Sequence, residues 1–317
     1  MKSPTVTVIM TVYNAERFLK ESILSVINQT LKNLELIIID DCSTDNSLIL
    51  IKKYAKKDNR IIVIVNKENL GPAVSRNIGI KIAKGKYIAI LDADDIALPE
   101  RLKTQCEFLN INVDIFLVGS GWFVIDEKSK ITNRKTLSIT KPEDIKKQII
   151  NNNCIHNPTV MFRNDKQTFY RSKFRFAQDY DLWFNLLSQR KLLQNIPDPL
   201  IKYRHVSNSI SFLNKGKQRL FMEKAKIFYF QRLEDGKDDY DEFDPKEIIS
   251  IDIETTSNII MIESEIKASF KLNNFSRTRR FCVKYFRNFG FINKMVVYYL
   301  ISFLGVRAID SIRKIIN

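Results

Sequence analysis

Leu34-Glu35-Leu36-Ile37-Ile38-Ile39-Asp40-Asp41 is an almost unbroken apolar run that ends in two carboxylates. Apolar residues on both alternations of a strand require cover on both faces, which is the condition of a strand inside a parallel sheet. Working outward, strands are predicted at Thr5 to Thr11, Leu34 to Asp40, Ile61 to Asn66 and Tyr87 to Leu91. The runs at Leu34 and Tyr87 are apolar enough to be central. Three amphipathic helices lie between them. The first repeats Phe18, Leu19, Ile23, Val26 and Ile27 at helical spacing, and the second repeats Leu48, Ile51 and Tyr54 behind Ser43 and Asp45 as N-terminal caps. The third runs from about Ala73 to Ala83 and is stopped by Gly85. Strands alternating with helices over short connections predict an α/β fold, a mostly parallel sheet with helices on both faces. After Pro99 another helix and a strand at Phe116 to Ser120 follow, and the periodicity weakens toward Ser211.

The chain has 317 residues, 44% apolar and 27% charged, with 9 Gly and 8 Pro, which excludes wholesale disorder and a fibrous repeat. That length predicts about two domains. Cys42, Cys106, Cys154 and Cys282 form no C-x-x-C pair, so neither a zinc site nor a disulfide framework is indicated and a reduced, cytosolic compartment is expected. Met1-Lys2-Ser3-Pro4 leads into a β-like stretch, without the apolar region of a secretion signal. The longest apolar run, Met295 to Val306, has 12 residues, short of the roughly 20 that span a bilayer.

Lys and Arg number 51 against 36 Asp and Glu, a net +15 that leaves open a nucleic-acid binder, a membrane-surface protein or an enzyme for an acidic substrate. The charge is uneven. Residues 234 to 247 carry eight acidic residues against Lys237 and Lys246 and read as a solvated linker, whereas residues 260 to 317 carry 11 basic and 3 acidic ones. Phe270 to Lys294, helical in pattern, holds seven basic residues, no acidic ones and many aromatics.

Ligands of open α/β sheets bind beyond the carboxyl ends of the strands, where loops converge. Those ends carry Thr11-Val12-Tyr13-Asn14, Asp40-Asp41, Asn66 to Asn69 and Asp92-Ala93-Asp94-Asp95. So many carboxylates on one edge repel each other unless a cation or directed hydrogen bonds offset them. Oxygen ligands favour Mg²⁺ or Mn²⁺, and such an ion fills its remaining positions with water and phosphate oxygens, so a diphosphate substrate fits. Taken singly, Asp40 or Asp95 reads equally well as a helix cap, and Tyr13 as packing. No Gly-x-Gly-x-x-Gly is present, which argues against a dinucleotide fold.

Together these runs resemble the family 2 inverting glycosyltransferases of the GT-A fold, in their bacterial surface-polysaccharide form. The matching stretches are Val8 to Asn14, Ile38 to Asp45, Asn69-Leu70-Gly71 with Ser75-Arg76-Asn77-Ile78-Gly79, and Leu91 to Asp95. The resemblance is close over residues 4 to about 110 and looser to Ser211, and it implies roles for the matching positions. Thr11, Tyr13 and Asn14 would line the nucleotide pocket, with Tyr13 stacking on the base and Asp41 accepting from it, and Arg76 and Asp92 would lie at the nucleotide. Asp94, with Asp95, would hold the metal. Phe176 to Trp183 resembles the segment in which Glu-Asp precedes a helix and supplies the catalytic base; here Gln178 replaces the Glu and Asp179 keeps the carboxylate. The alternative is that Asp179 simply caps the helix. Asn153 to Arg163 and Tyr203 to Ser211 also look familiar. His156, Trp183 and His205 are candidates for the acceptor or donor sugar, although the family's histidine stands one position after His205, where Val206 is.

The expected organisation is a catalytic domain over residues 1–233, with 1–110 for the nucleotide and 111–233 for the acceptor, then the acidic linker 234–247 and a basic helical region 248–317. The resemblance implies a metal-dependent hexosyl- or N-acetylhexosaminyl-transferase moving a sugar from a UDP-sugar to a glycan or lipid-linked glycan in surface polysaccharide synthesis. The basic C-terminal region, beside a short apolar stretch, suggests a peripheral position on the anionic inner face of the cytoplasmic membrane, with no nucleic acid expected. The alternative is a nucleic-acid or anionic-surface binding protein that uses the basic region and carries a degenerate catalytic domain. A phospho-receiver module would place its acidic pair after the first strand, and a nucleotidyltransferase would show a glycine-rich loop that Val8 to Asn14 lacks.

Overall fold

In the computed structural model, which describes residues 3–135, 137, 139–205, 214–291 and 293–304, the early strands form as their apolar runs dictate. They are β1 (Val6–Val12), β2 (Leu34–Asp40), β3 (Ile61–Val65) and β4 (Tyr87–Ile90), separated by α1 (Glu16–Ile27), α2 (Ser47–Ala55) and α3 (Pro72–Ile82). All pairings among them are parallel: β1 with β2, β1 with β4, and β2 with β3. Every residue of β2 and β4 is buried, as expected of central strands. Val8, Met10, Leu36, Ile38 and Ala89 pack with Leu19, Ile23 and Val26 of α1 in the main core. Truncating Met10, Leu19, Ile23, Leu36 or Ile38 to Ala would each cost about 2–5 kcal/mol.

The chain continues through β5 (Ile96–Ala97), α4 (Arg101–Ile111), β6 (Ile115–Ile125), β7 (Ile131–Lys135), α5 (Pro142–Gln148), a 3₁₀ turn at Asn157–Thr159, β8 (Met161–Arg163), α6 (Gln178–Ser188) and β9 (Leu192–Arg204). The sheet order is β3-β2-β1-β4-β8-β6-β9-β5, with β7 on β6. β8 runs antiparallel to both neighbours, so the second half of the sheet is mixed. The strand expected at Phe116 to Ser120 extends to Ile125. Gly121 is the reason: a Cβ there would lie 2.5 Å from the carbonyl oxygens of Lys135 and Pro197, so a residue that looks like a strand end instead admits close neighbours on both sides.

The caps expected for α2 do different work. Asn46 occupies the cap position without a side-chain bond, while Asp45 accepts from the N–H groups of Ser47 and of Glu16, the first residue of α1. The Ser43 hydroxyl accepts from Asn14 N–H. Both side chains therefore tie the β2–α2 loop to the end of β1.

Two compact units are present, Met1–Val206 with Tyr229–Asp238, and Ser207–Phe228 with Asp239–Asn317. Helix α7 (Lys215–Asp235) contributes to both, and α8 (Lys246–Ile249), α9 (Ile259–Lys271), α10 (Phe275–Phe289) and α11 (Asn293–Ile301) follow. The second unit has its own core of Ile262, Ile266, Phe281, Cys282, Tyr285 and Met295. Asn258 and Asn274 cap α9 and α10 by accepting from the N–H groups of Met261 and Arg277. The acidic run is not solvated throughout, since Asp238 pairs with Arg171 and Arg232 within the first unit and Phe243 is buried within the second. The end of the apolar run, from residue 305, and residues 206–211 of the family-like segment lie outside the described residues.

Candidate active site at the strand ends

Because β1 has β2 on one side and β4 on the other, the loops after these strands converge on one edge. Asn14 ends β1 in a left-handed conformation (φ 50°), and its side-chain oxygen accepts from the Thr44 N–H at 2.8 Å. This fixes the β2–α2 loop beside Tyr13, whose side chain is largely free to solvent (46% exposed). Thr11 is half-buried next to it.

Asp41 is a brace before it is anything else. Its Oδ1 accepts from Asn66 Nδ2 (2.7 Å), Ser75 Oγ (2.9 Å) and Leu70 N–H (3.0 Å), and its Oδ2 accepts from Gly71 N–H (2.9 Å). The residue is buried, and only Oδ2 keeps room for a further donor. Gly71 has φ +82°, a conformation that side chains disfavour, and it hands the chain to Pro72 at the first turn of α3. Four residues on, Arg76 is buried, donates to Asp92 Oδ1 at 3.0 Å and lies over the Tyr170 ring at 5.4 Å.

Burial first and the Asp92 charge second push Asp94 up to about 6, and Asp95 is held well above the usual carboxylate range by its burial and by Asp94. Asp95 Oδ1 accepts from the backbone N–H of Arg204, whereas its Oδ2 is buried without a partner. Crowded, partly orphaned carboxylates are what a divalent cation would relieve, so Asp94, with the free oxygen of Asp95, fits one. Among the described residues no three His, Cys, Asp or Glu side chains converge to cage a metal. Any ion here would therefore draw most of its ligands from phosphate and water.

Asp179 is the second residue of α6, after Ala177 in a left-handed conformation (φ 53°). Its Oδ2 accepts from Asn153 Nδ2 at 3.2 Å. Burial raises its pKa, against the Tyr180 N–H and the Arg76 charge, which lower it. Arg76 thus pairs with Asp92 and its charge also acts on Asp179.

The sugar candidates divide. His156 stacks on Trp122 (4.4 Å between centroids), meets Tyr203 edge-on (4.6 Å), and is pushed down to about 4 by burial, so its imidazole is neutral. Trp122, Leu137, Asn153 and His156 line a cavity of about 350 Å³, and Asn153 links that cavity to Asp179. Trp183 is wholly buried, so the expectation that it touches a sugar is corrected: it faces the core side of α6. His205 is exposed at the end of β9, with its N–H on the Ile125 carbonyl. Sequence reasoning passed over Trp122, Asn153 and Arg204. Arg204, also buried, donates to the carbonyls of Asp94 and Asp126 and pairs with Glu21 at 2.9 Å, which fixes the Asp94-Asp95 turn. Its only signal was its place in a family-like segment.

The family model for Glycosyl transferase family 2 matches residues 7–174. An uncharacterised glycosyltransferase of Methanocaldococcus jannaschii is 40% identical over 226 residues, which are 70% of this chain and 78% of that protein. Among solved structures, S. aureus TarS 1-349 in complex with UDP-GlcNAc superposes with a TM-score of 0.58 at 17% identity, over 94% of this chain and 90% of that one. The mannosyltransferase PcManGT from Pyrobaculum calidifontis, in complex with GDP-Man and Mn²⁺, gives 0.54 at 14% identity, over 95% and 85%. At these identities the likeness shows the fold, and it bears out the expected GT-A architecture.

Proposed function

We propose, for a chain that belongs to glycosyl transferase family 2 and is a glycosyltransferase, that the strand-end site transfers a hexosyl or N-acetylhexosaminyl group from a UDP-sugar to a glycan or lipid-linked glycan with inversion. The observation that carries this reading is Arg76, which pairs with Asp92 at 3.0 Å and whose charge also acts on the buried Asp179, although the two carboxylates lie far apart in sequence.

Tyr13, Thr11 and Asn14 receive the nucleotide base, with Asp41 offering the open side of Oδ2, and Arg76 and Asp92 flank the ribose and diphosphate. Asp94, helped by Asp95, would hold Mg²⁺ or Mn²⁺; when bound, the ion supplies charge that offsets the leaving diphosphate. Asp179 is the general base. The acceptor oxygen forms a bond to the anomeric carbon, the bond from that carbon to the diphosphate oxygen breaks, and the hydroxyl proton passes to the Asp179 carboxylate. A carboxylate raised by burial is a better proton acceptor, and Asn153 orients it. A single displacement inverts the anomeric centre, whereas retention through a covalent intermediate would need a second step with another nucleophile. His156, neutral, shapes the acceptor side with Trp122, and His205 lies at its rim. A lipid-linked acceptor would draw the enzyme to the inner face of the cytoplasmic membrane, and a role in surface polysaccharide synthesis follows.

The test is nucleotide release from a panel of UDP- and GDP-sugars with and without Mn²⁺. Asp179→Asn should lose about a hundredfold or more in transfer with nucleotide binding retained. Unchanged turnover in that variant refutes the base assignment.

A further inference from the structure

We infer that the groove between α10 and α11 is the surface by which this protein sits on an anionic lipid bilayer. The inference rests on the proposed membrane location of the acceptor and goes beyond it by naming the face and its chemistry. A groove of about 650 Å³ within the second unit is lined by Arg279, Arg280, Lys284 and Arg287 of α10 and by Tyr299 and Phe303 at the end of α11. Residues 280, 284 and 287 recur at helical spacing, so they form one cationic stripe.

Little of that charge is neutralised at home. Arg280 pairs with Glu254, which also meets Arg277, but Arg279 donates only to the Ser302 carbonyl and Lys284 to the carbonyls of Ile253 and Glu254. Arg287 has no hydrogen-bond or ion-pair partner among the described residues. Among the described residues no acidic side chain lines the groove. Packing does not require four cations to face one concave surface, and anionic headgroup phosphates would offset them.

The second observation is apolar. Val297, Leu300, Phe303 and Leu304, on and just after α11, are 53%, 61%, 62% and 42% exposed, and Phe291 before it is 80% exposed. Positions 297 and 300 are one turn apart on α11, Leu304 lies just past the helix end, and Phe303 also lines the groove. Helix α11 has nine residues, about 13 Å of helix against a hydrocarbon core of about 30 Å, and no helix among the described residues is long and apolar enough to cross a membrane. Exposed aliphatic and aromatic side chains flanking a cationic groove on short helices are the arrangement that lies in the headgroup layer, with phosphates in the groove and the apolar ridge among the acyl chains. Single-stranded nucleic acid also uses cations with aromatics, but it stacks on rings and gains nothing from Val297, Leu300 and Leu304.

The full-length protein is floated with vesicles of phosphatidylcholine alone or with about one-third phosphatidylglycerol, at low and high salt. It should rise only with the anionic vesicles and mainly at low salt. Arg287→Gln should weaken partition by about fivefold, from the loss of one surface cation, and Leu300→Ser with Phe303→Ser should weaken it even at low salt. Protein that stays at the bottom of the low-salt gradient, or variants that float as well as wild type, overturn the inference. Salt-sensitive binding to a single-stranded RNA oligomer with none to vesicles overturns it in favour of nucleic acid. Nucleotide release without vesicles is measured alongside: turnover without flotation sinks the docking surface alone, and flotation without turnover sinks the proposed reaction alone.

Discussion

Asp41→Asn isolates the brace beneath the site. The carboxylate accepts four internal hydrogen bonds, three on Oδ1 and one on Oδ2. An amide of the same shape places its oxygen best at the Oδ1 position, keeping the three donors there, and turns its NH₂ toward the Gly71 N–H, donor against donor. A hydrogen bond to a charged group is lost, at about 1.5–3 kcal/mol, and a buried N–H is left unpaired at about 1–3 kcal/mol, so the expected cost is roughly 3–4 kcal/mol. With a urea slope of about 2–3 kcal/mol/M, the unfolding midpoint should fall by roughly 1.5 M. Both tryptophans, Trp122 and Trp183, lie in the first unit, so their fluorescence reports on the unit that contains the brace. Ser75→Ala removes one neutral donor and should cost only about 1 kcal/mol, which gives an internal scale. A midpoint shift below about 0.3 M for Asp41→Asn would refute the reasoning and return Asp41 wholly to the nucleotide.

Asp179 gives a pH dependence. Burial raises its pKa, so the acidic limb of kcat should lie above the ordinary carboxylate range, with activity lost as pH falls through the raised value. The same shift acts oppositely on stability: the folded state binds the proton more tightly than the unfolded one, so this group's contribution weakens as pH rises from the ordinary toward the raised value. Asp179→Asn should remove the acidic limb that this group sets and make the loss of stability with rising pH shallower by its share, the rest coming from Asp94, Asp95 and Asp181, read by a pH–rate profile and urea midpoints. Arg171→Met should destabilise the first unit by about 3–5 kcal/mol, because it strips the partner from the wholly buried Asp181; a thermal scan showing a loss under 1 kcal/mol would contradict this. Trp122→Ala should raise the KM for acceptor more than that for donor, and equal rises would remove the cavity at His156 from the acceptor side.

Much of this was legible in the chain, and for a definable reason. A strand covered on both faces must be apolar at every position, so β2 and β4 announced themselves with their ends almost correct, and the polar groups at their carboxyl ends then had to share an edge. β6 was shortened in the sequence reading because glycine carries no side chain to signal strand, and what Gly121 does there is admit two neighbouring carbonyls, which only the fold supplies. Trp183 looked like a ligand because it follows the base on one helix, and which face of that helix points inward is not written in the motif.

The sequence by itself therefore determined the parallel half-sheet, the polar groups Tyr13, Asp41, Asp92 and Asp94 at its strand ends, and the location of the positive charge, since these follow from local periodicity and residue chemistry, while Asp179 was implied by the family resemblance. Only the tertiary structure decided that Asp41 is spent on four internal donors, that Arg76 pairs with Asp92, that Trp122 stacks on His156, and that the C-terminal cations face one groove rather than scatter over a solvated surface. Each depends on a contact between residues distant in sequence, and one chain's local pattern holds no record of which distant side chain will arrive within 3 or 4 Å.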